Sequence, residues 1–174
     1  YQYDPTLVPK MIEPIVSGDA DLVLGSRLKS GGSAIAQGMP WWKYISNRFL
    51  TEVENVCFGL ALSEYHTGYR AFSREVLDAV NFRMNSDGFV FDQEIVAQCV
   101  AARFRIAEIA VPLRYFPEAS SAGFLASCGY GLKILWVVTR YLLYRFGLKR
   151  SRRLQTLRGR YSRLGPGAGT SPES

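Results

Sequence analysis

The chain has 174 residues, of which 48% are hydrophobic and 21% charged, and it carries a net charge of +6. That composition excludes a disordered or fibrous protein, and the length suits one domain with a sizeable core rather than two. Three widely spaced cysteines, Cys57, Cys99 and Cys128, include no CxxC pair, which argues against a disulfide framework or a cysteine-rich zinc site and for a reducing compartment.

At the amino end, Asp4 is placed to cap a helix that begins at Pro5, carries Leu7, Val8, Met11, Ile12, Ile15 and Val16 at helical spacing, and stops at Gly18. The apolar run Asp21 to Leu24, ending at Gly25-Ser26-Arg27, reads as a buried strand that delivers a turn. Residues 28–40, with three glycines, read as loop; Trp41 to Phe58 reads as a helix stopped by Gly59. A short extended segment from Tyr65 to Phe72 leads into a helix over Arg74 to Val80. Asn85-Ser86-Asp87-Gly88 is turn chemistry, and a helix from about Val90 to Arg103 follows. Ile109, Val111, Leu113 and Tyr115 alternate as one face of a strand, and Pro112 makes it an edge strand or bulged. Strands alternating with longer helices predict an α/β layered fold with a largely parallel sheet.

Leu125 to Phe146 is apolar and aromatic but interrupted by Lys133, Arg140 and Arg145, so it is too broken for a span of about 20 apolar residues. At 100° per residue Lys133, Arg140 and Tyr144 share one side, which predicts an amphipathic helix on the core or in a membrane interface. Residues 1–148 hold 14 basic and 14 acidic side chains; residues 149–174 hold seven basic ones against Glu173 alone, and so carry the whole +6. A neutral body argues against nucleic-acid binding. The tail reads as solvated and disordered, with a competing role at an anionic membrane surface.

Five pieces in order resemble one family. Gln2-Tyr3-Asp4-Pro5, Ala20 to Arg27, Thr67-Gly68-Tyr69-Arg70-Ala71-Phe72, Phe89-Val90-Phe91-Asp92, and Ile106 to Ile109 with Val111-Pro112 look like the second half of a family 2 glycosyltransferase of the GT-A fold. The similarity is to the dolichyl-phosphate mannosyltransferase-like branch. It implies a Rossmann-like α/β fold with a mixed, largely parallel sheet and flanking helices, incomplete at the amino end. Residues 1–124 would then be the later part of a catalytic domain, residues 125–148 an amphipathic helix, and residues 149–174 the basic tail.

The resemblance also implies roles. Gln2 would be the remnant of an Asp-x-Asp-x-Gln site for Mg²⁺ or Mn²⁺ whose carboxylates lie upstream. Arg27, aided by Lys29, would face the donor diphosphate, an anion that suits a guanidinium fork; pairing with Asp19 or Asp21 is the ordinary alternative. Arg70 would contact acceptor phosphate or sugar, unless it pairs with Glu64 or Glu75. His66, the only histidine, stands near the place of a family aspartate and has no partners in sequence for metal or triad chemistry. Asp92 or Glu94, near a helix start, would be the general base for a hydroxyl acceptor; a polyprenyl phosphate acceptor, already anionic, needs none. Where the family continues with an arginine and Gly-x-Ser-Lys, this chain has Arg114 in the strand, then Glu118, Ser120 and Ser121, leaving Arg114 as the substitute clamp.

The expected protein is a metal-dependent, inverting glycosyltransferase, peripheral at the cytoplasmic face of a membrane. It would move a sugar from a nucleotide diphosphate donor to a polyprenyl phosphate or related glycan acceptor. A non-catalytic membrane adaptor with the same fold is the competing class.

Overall fold

A computed structural model describes residues 4–29, 39–112 and 124–157, with side chains of the last segment described from Ser127 onward. The Asp4 carboxylate accepts from the Thr6 N–H at 2.9 Å and starts a 3₁₀ turn, Pro5–Leu7, that runs into helix α1, Val8–Val16. Gly18 follows in the left-handed region at φ 78, where a side chain would be strained. Strand β1, Leu22–Ser26, is buried throughout and lies in the middle of a three-stranded sheet of order β2-β1-β3.

Strand β2 is Arg70–Phe72, antiparallel to β1 with Leu22 opposite Phe72 and Leu24 opposite Arg70. Strand β3 is Ile106–Ala110, parallel to β1 with Leu22 opposite Ile106 and Ser26 opposite Ala110. The described sheet is therefore mixed, with one parallel and one antiparallel pair. The third strand also lies earlier than its alternation predicts. Its ladder is fixed by β1, and after Val111 N–H donates to Ser26 O at 3.0 Å, Pro112 has no N–H to continue it. Leu113, Tyr115 and Arg114 lie outside the described residues, as does Gln2.

Successive residues of β1 point to opposite faces, which sorts the core into two layers. Val23 packs with Met11, Ala20 and Val111 under α1. Leu22 and Leu24 face the larger core built by helices α2, Trp41–Phe58; α3, Arg74–Ala79; α4, Phe91–Ala101; and α5, Phe124–Arg145. On α5 the buried stripe is Ile134, Val137, Val138 and Tyr141, at i, i+3, i+4 and i+7. Each such burial contributes about 1.5–3 kcal/mol before entropy is subtracted. Leu132 and Trp136 point outward, 68% and 58% exposed.

Residues 151–157 do not form the detached tail that their charge predicts. Gly147, at φ 72, ends the turn after α5, and the chain then folds back on the body. Leu154 is buried in the main core, and the Leu157 N–H donates to Ala79 O at 2.7 Å. The Gln98 amide donates to Arg153 O at 2.8 Å. One buried leucine and these two hydrogen bonds to the backbone outweigh the preference of the basic side chains for water.

Candidate active site

The carboxyl end of β1 carries Gly25-Ser26-Arg27 to the end of the sheet at which ligands bind in open α/β folds. A Cβ on Gly25 would sit 3.0 Å from Tyr69 Cδ1 and 3.2 Å from Tyr69 O, so only glycine lets the segment 65–69 lie this close. Thr67 closes the contact, its hydroxyl donating to Gly25 O at 2.7 Å. Ser26 Oγ accepts from the N–H groups of Leu28 and Lys29, at 3.2 and 3.0 Å, which turns the chain out of the strand.

Arg27 is held by Glu64 rather than by Asp19 or Asp21. Its backbone N–H donates to Glu64 Oε2 at 2.8 Å, its Nε to Oε1 at 2.8 Å, and its Nη2 also to Oε1 and to His66 O. Glu64 has no exposed side-chain surface and Arg27 only 12%. Asp21 instead takes Arg105. Lys29 reaches across to β3, where its Nζ donates to Glu108 O at 2.7 Å. Glu108 in turn accepts from the N–H and hydroxyl of Ser63, which ties β3 to the segment leading into Glu64.

A second set of buried polar groups lies behind this pair. The Asn47 amide donates to Glu64 Oε1 at 2.9 Å, which orients its Oδ1 toward His66 Nδ1, also at 2.9 Å. His66 Nε2 lies 3.0 Å from Glu54 Oε2. That approach is close but not aligned as a hydrogen bond, and neither Glu54 oxygen has a hydrogen-bond partner among the described residues. Burial pushes the Glu54 carboxyl above its ordinary range, against the pull of His66 and Arg70. Sequence reasoning missed Asn47 and Glu54. The signal was present: Asn47, Thr51 and Glu54, all buried, recur at i, i+4 and i+7 on α2, while Ile45, Phe49 and Val56 of the same helix face outward.

Arg70 is a brace, with neither Glu64 nor Glu75 as its partner. Its side chain is 3% exposed and donates to the carbonyls of Thr67, Tyr65 and Asp92 at 2.7, 2.8 and 2.6 Å. Three carbonyls from two segments meet on one guanidinium, so Arg70 positions the Tyr65–Thr67 turn against the first turn of α4. Burial lowers its pKa from the usual arginine range, with the Asp92 charge opposing.

The two carboxylates of that first turn differ. Asp92 is 39% exposed, with Oδ1 3.9 Å from Arg70 Nε, and is open to a substrate. Glu94 is 3% exposed and its oxygens are engaged: Arg140 Nη2 at 2.8 Å and Arg153 Nη1 at 2.5 Å share Oε1, and the Ser86 N–H donates to Oε2 at 2.6 Å. Burial alone would raise its pKa, but the Arg140 hydrogen bond, the Ser86 N–H and the two arginine charges outweigh it and hold the carboxyl below its ordinary range. A low-pKa carboxylate with occupied lone pairs is a poor proton acceptor, so the geometry makes Asp92 the better base and Glu94 a structural anchor. Among the described residues no three His, Cys, Asp or Glu side chains converge in a way that fits a metal ion.

No family model matches the chain. Over 121 residues, 69% of the chain, it is 33% identical to the low-salt glycan biosynthesis hexosyltransferase Agl6 of Haloferax volcanii, of which the match covers 28%. It is 24% identical over 108 residues, 62% of the chain, to the polyprenol monophosphomannose synthase of Mycolicibacterium smegmatis, covering 40% of that protein. It is 23% identical over 146 residues, 84% of the chain, to the UDP-N-acetylglucosamine--dolichyl-phosphate N-acetylglucosaminyltransferase of Methanococcus voltae, covering 55% of it. The chain thus spans between about a quarter and about half the length of these relatives. The mixed sheet with its flanking helices and these similarities place the chain among the glycosyltransferases with a partial GT-A fold. Within them its likeness is to family 2 domains of the dolichyl-phosphate glycosyltransferase type.

Proposed function

We propose that the protein transfers a sugar from a nucleotide diphosphate donor to a polyprenyl phosphate at the cytoplasmic face of a membrane. The observation that carries the reading is the similarity, over 62% and 84% of the chain, to two relatives named for polyprenol and dolichyl-phosphate chemistry. In the reaction an acceptor phosphate oxygen attacks the anomeric carbon, the bond to the diphosphate breaks, and the nucleoside diphosphate leaves with inversion. The acceptor is anionic at neutral pH and needs no base. Arg27, fixed by Glu64 at the strand end, and Lys29 supply positive potential beside the leaving diphosphate. Arg70 keeps the opposite wall in place, and Arg114 remains the candidate clamp for the acceptor phosphate. Mg²⁺ or Mn²⁺ is the expected metal; the described residues offer no site for it, and its ligands would include Gln2 and carboxylates ahead of it.

Membrane contact is supported by the outward apolar stripe of α2, Trp41, Ile45, Phe49 and Val56, and by Leu132 and Trp136 of α5. These aromatic and aliphatic side chains suit an interfacial layer, and the basic residues beyond position 148, apart from Arg153 held by Glu94, suit anionic headgroups. No helix among the described residues is long and apolar enough to cross a membrane. An acceptor panel tests the reading: full-length protein with labelled nucleotide-sugars should label a prenyl phosphate and leave the matching prenol and a free glycan unlabelled. Preferential labelling of the prenol or the glycan would overturn it and make Asp92 the required base.

A further inference from the structure

The buried groups that meet at His66 form a chain from Glu54 to Arg27, and the hydrogen positions along it follow from the carboxylate at its Arg27 end. Glu64, paired with Arg27, can only accept, so the Asn47 group 2.9 Å from its Oε1 is the NH₂. The Asn47 Oδ1 must then accept, from the Thr51 hydroxyl at 3.3 Å and from His66 Nδ1 at 2.9 Å. His66 therefore carries a hydrogen on Nδ1. In a neutral imidazole that leaves Nε2 bare, 3.0 Å from Glu54 Oε2, with the two side chains only 9% and 1% exposed. Neither that nitrogen nor either Glu54 oxygen has a hydrogen-bond partner among the described residues. Two acceptors would thus meet out of reach of water. A proton on either partner turns their repulsion into attraction, and burial, which raises the Glu54 carboxyl, favours keeping it.

Among the described residues, the other charged or titratable groups facing the pair are Arg70 from β2, with Asp92 beyond it, Tyr130 from α5, Tyr65 in the adjoining segment, Cys57 one turn along α2, and Glu64 through Asn47. Burial raises both phenols and the thiol, so these stay neutral, and Arg70 and Glu64 are engaged by their own partners. That leaves the proton between Glu54 and His66 as the variable one.

We propose that Glu54 and His66 are positioning residues that hold one proton between them and, through it, set the orientation of Asn47 and the grip of Glu64 on Arg27. The inference deepens the reading above, on which Arg27 stands beside the leaving diphosphate. Loss of the proton to water as pH rises brings the two acceptors into contact. Moving the remaining ring hydrogen to Nε2 relieves Glu54 but strips Nδ1, and Asn47 must then turn its NH₂ to His66 and its oxygen to Glu64. Glu64 exchanges a donor for an acceptor, and Arg27 loses part of its anchor. Arg27 is therefore held while the pair keeps its proton, and loosens as pH rises through the pair's own value.

His66 is the chain's only histidine, so nitrogen NMR on the untagged full chain reads a single imidazole, and the Arg27 Nε–H, assigned with Arg27→Lys, reports the other end. Wild type should show hydrogen on Nδ1, and the Arg27 signal should move in step with the ring as pH rises. Glu54→Gln can offer Nε2 a permanent NH₂ donor, so Nδ1 should keep its hydrogen and Arg27 should stop responding to pH. Asn47→Ala should uncouple the ends: His66 still titrates against Glu54, while the Arg27 Nε–H no longer follows and exchanges with water about tenfold faster or more. If Asn47→Ala does not fold, Glu54→Gln, which keeps the side chain's shape, decides alone. Hydrogen on Nε2 with Nδ1 bare in wild type overturns the proposal, as does an Arg27 signal that ignores the ring or titrates alike in wild type and Glu54→Gln. None of these signals needs a donor or acceptor. Sugar transfer by a protein with an unresponsive Arg27 would remove the inference and leave the functional reading intact; a coupled Arg27 in a protein that transfers no sugar would support the network and contradict that reading.

Discussion

Replacing Glu64 by Gln removes a buried charge that holds Arg27 while keeping the side chain's shape. The Glu64 carboxylate is fully buried and accepts from the Arg27 N–H, Nε and Nη2 and from the Asn47 amide. In the variant one of these acceptor positions becomes an NH₂ facing donors, and a guanidinium only 12% exposed loses the Glu64 charge. Breaking one side of a buried ion pair costs about 3–5 kcal/mol. At roughly 2–4 °C per kcal/mol for a chain of this size, Tm should fall by about 6–20 °C. Urea titration gives the free energy, and the cycle with Arg27→Met separates the pair from its surroundings. The double variant should recover part of the loss, because it buries no unpaired charge. A loss under about 1 kcal/mol for Glu64→Gln, or strict additivity in the cycle, would refute the view that this pair fixes the strand-end arginine.

Arg153→Ala should release the strap, with faster hydrogen exchange at the Leu157 amide and about 1–3 kcal/mol lost; unchanged exchange would show that Leu154 alone holds it. Because the folded pKa of Glu94 is depressed, its stabilisation is present above the ordinary value of 4.5 and is lost as pH falls through the folded value. Glu94→Gln should therefore flatten the acid limb of a stability-against-pH curve, and an acid limb identical to wild type would count against the ion-pair account. Gly25→Ala forces a methyl to 3.0 Å from Tyr69 Cδ1 and 3.1 Å from Val111 Cγ1, and should cost about 1–3 kcal/mol in a urea titration; a neutral result would mean the 65–69 segment yields easily.

The elements that sequence reasoning placed well have local causes. Helix α2 keeps its predicted limits because Pro40 precedes it and Gly59, at φ 72, ends it. The capped start at Asp4 and the buried strand leading to Arg27 follow from side chains within a few residues of one another. The misplacements have distant causes. Arg140 was set on a polar face of α5, yet it turns toward the body because Glu94, 46 residues earlier, meets its charge. The basic strap is pinned by Leu154 and by partners on α3 and α4 that no composition reveals. The site divides in the same way. Arg27 at a strand end was legible, but its partner Glu64 depends on how the chain returns, and Arg70 and Glu94 became internal anchors for the same reason. His66 looked solitary only because Asn47 and Glu54 approach it from another helix.

Phosphorus NMR on full-length protein, prenyl phosphate and nucleotide-sugar follows the bond at the centre of the account. The monoester resonance of the prenyl phosphate should give way to that of a diester, in step with release of the nucleoside diphosphate. Donor consumption with the monoester unchanged would place the sugar elsewhere and contradict transfer to a lipid phosphate.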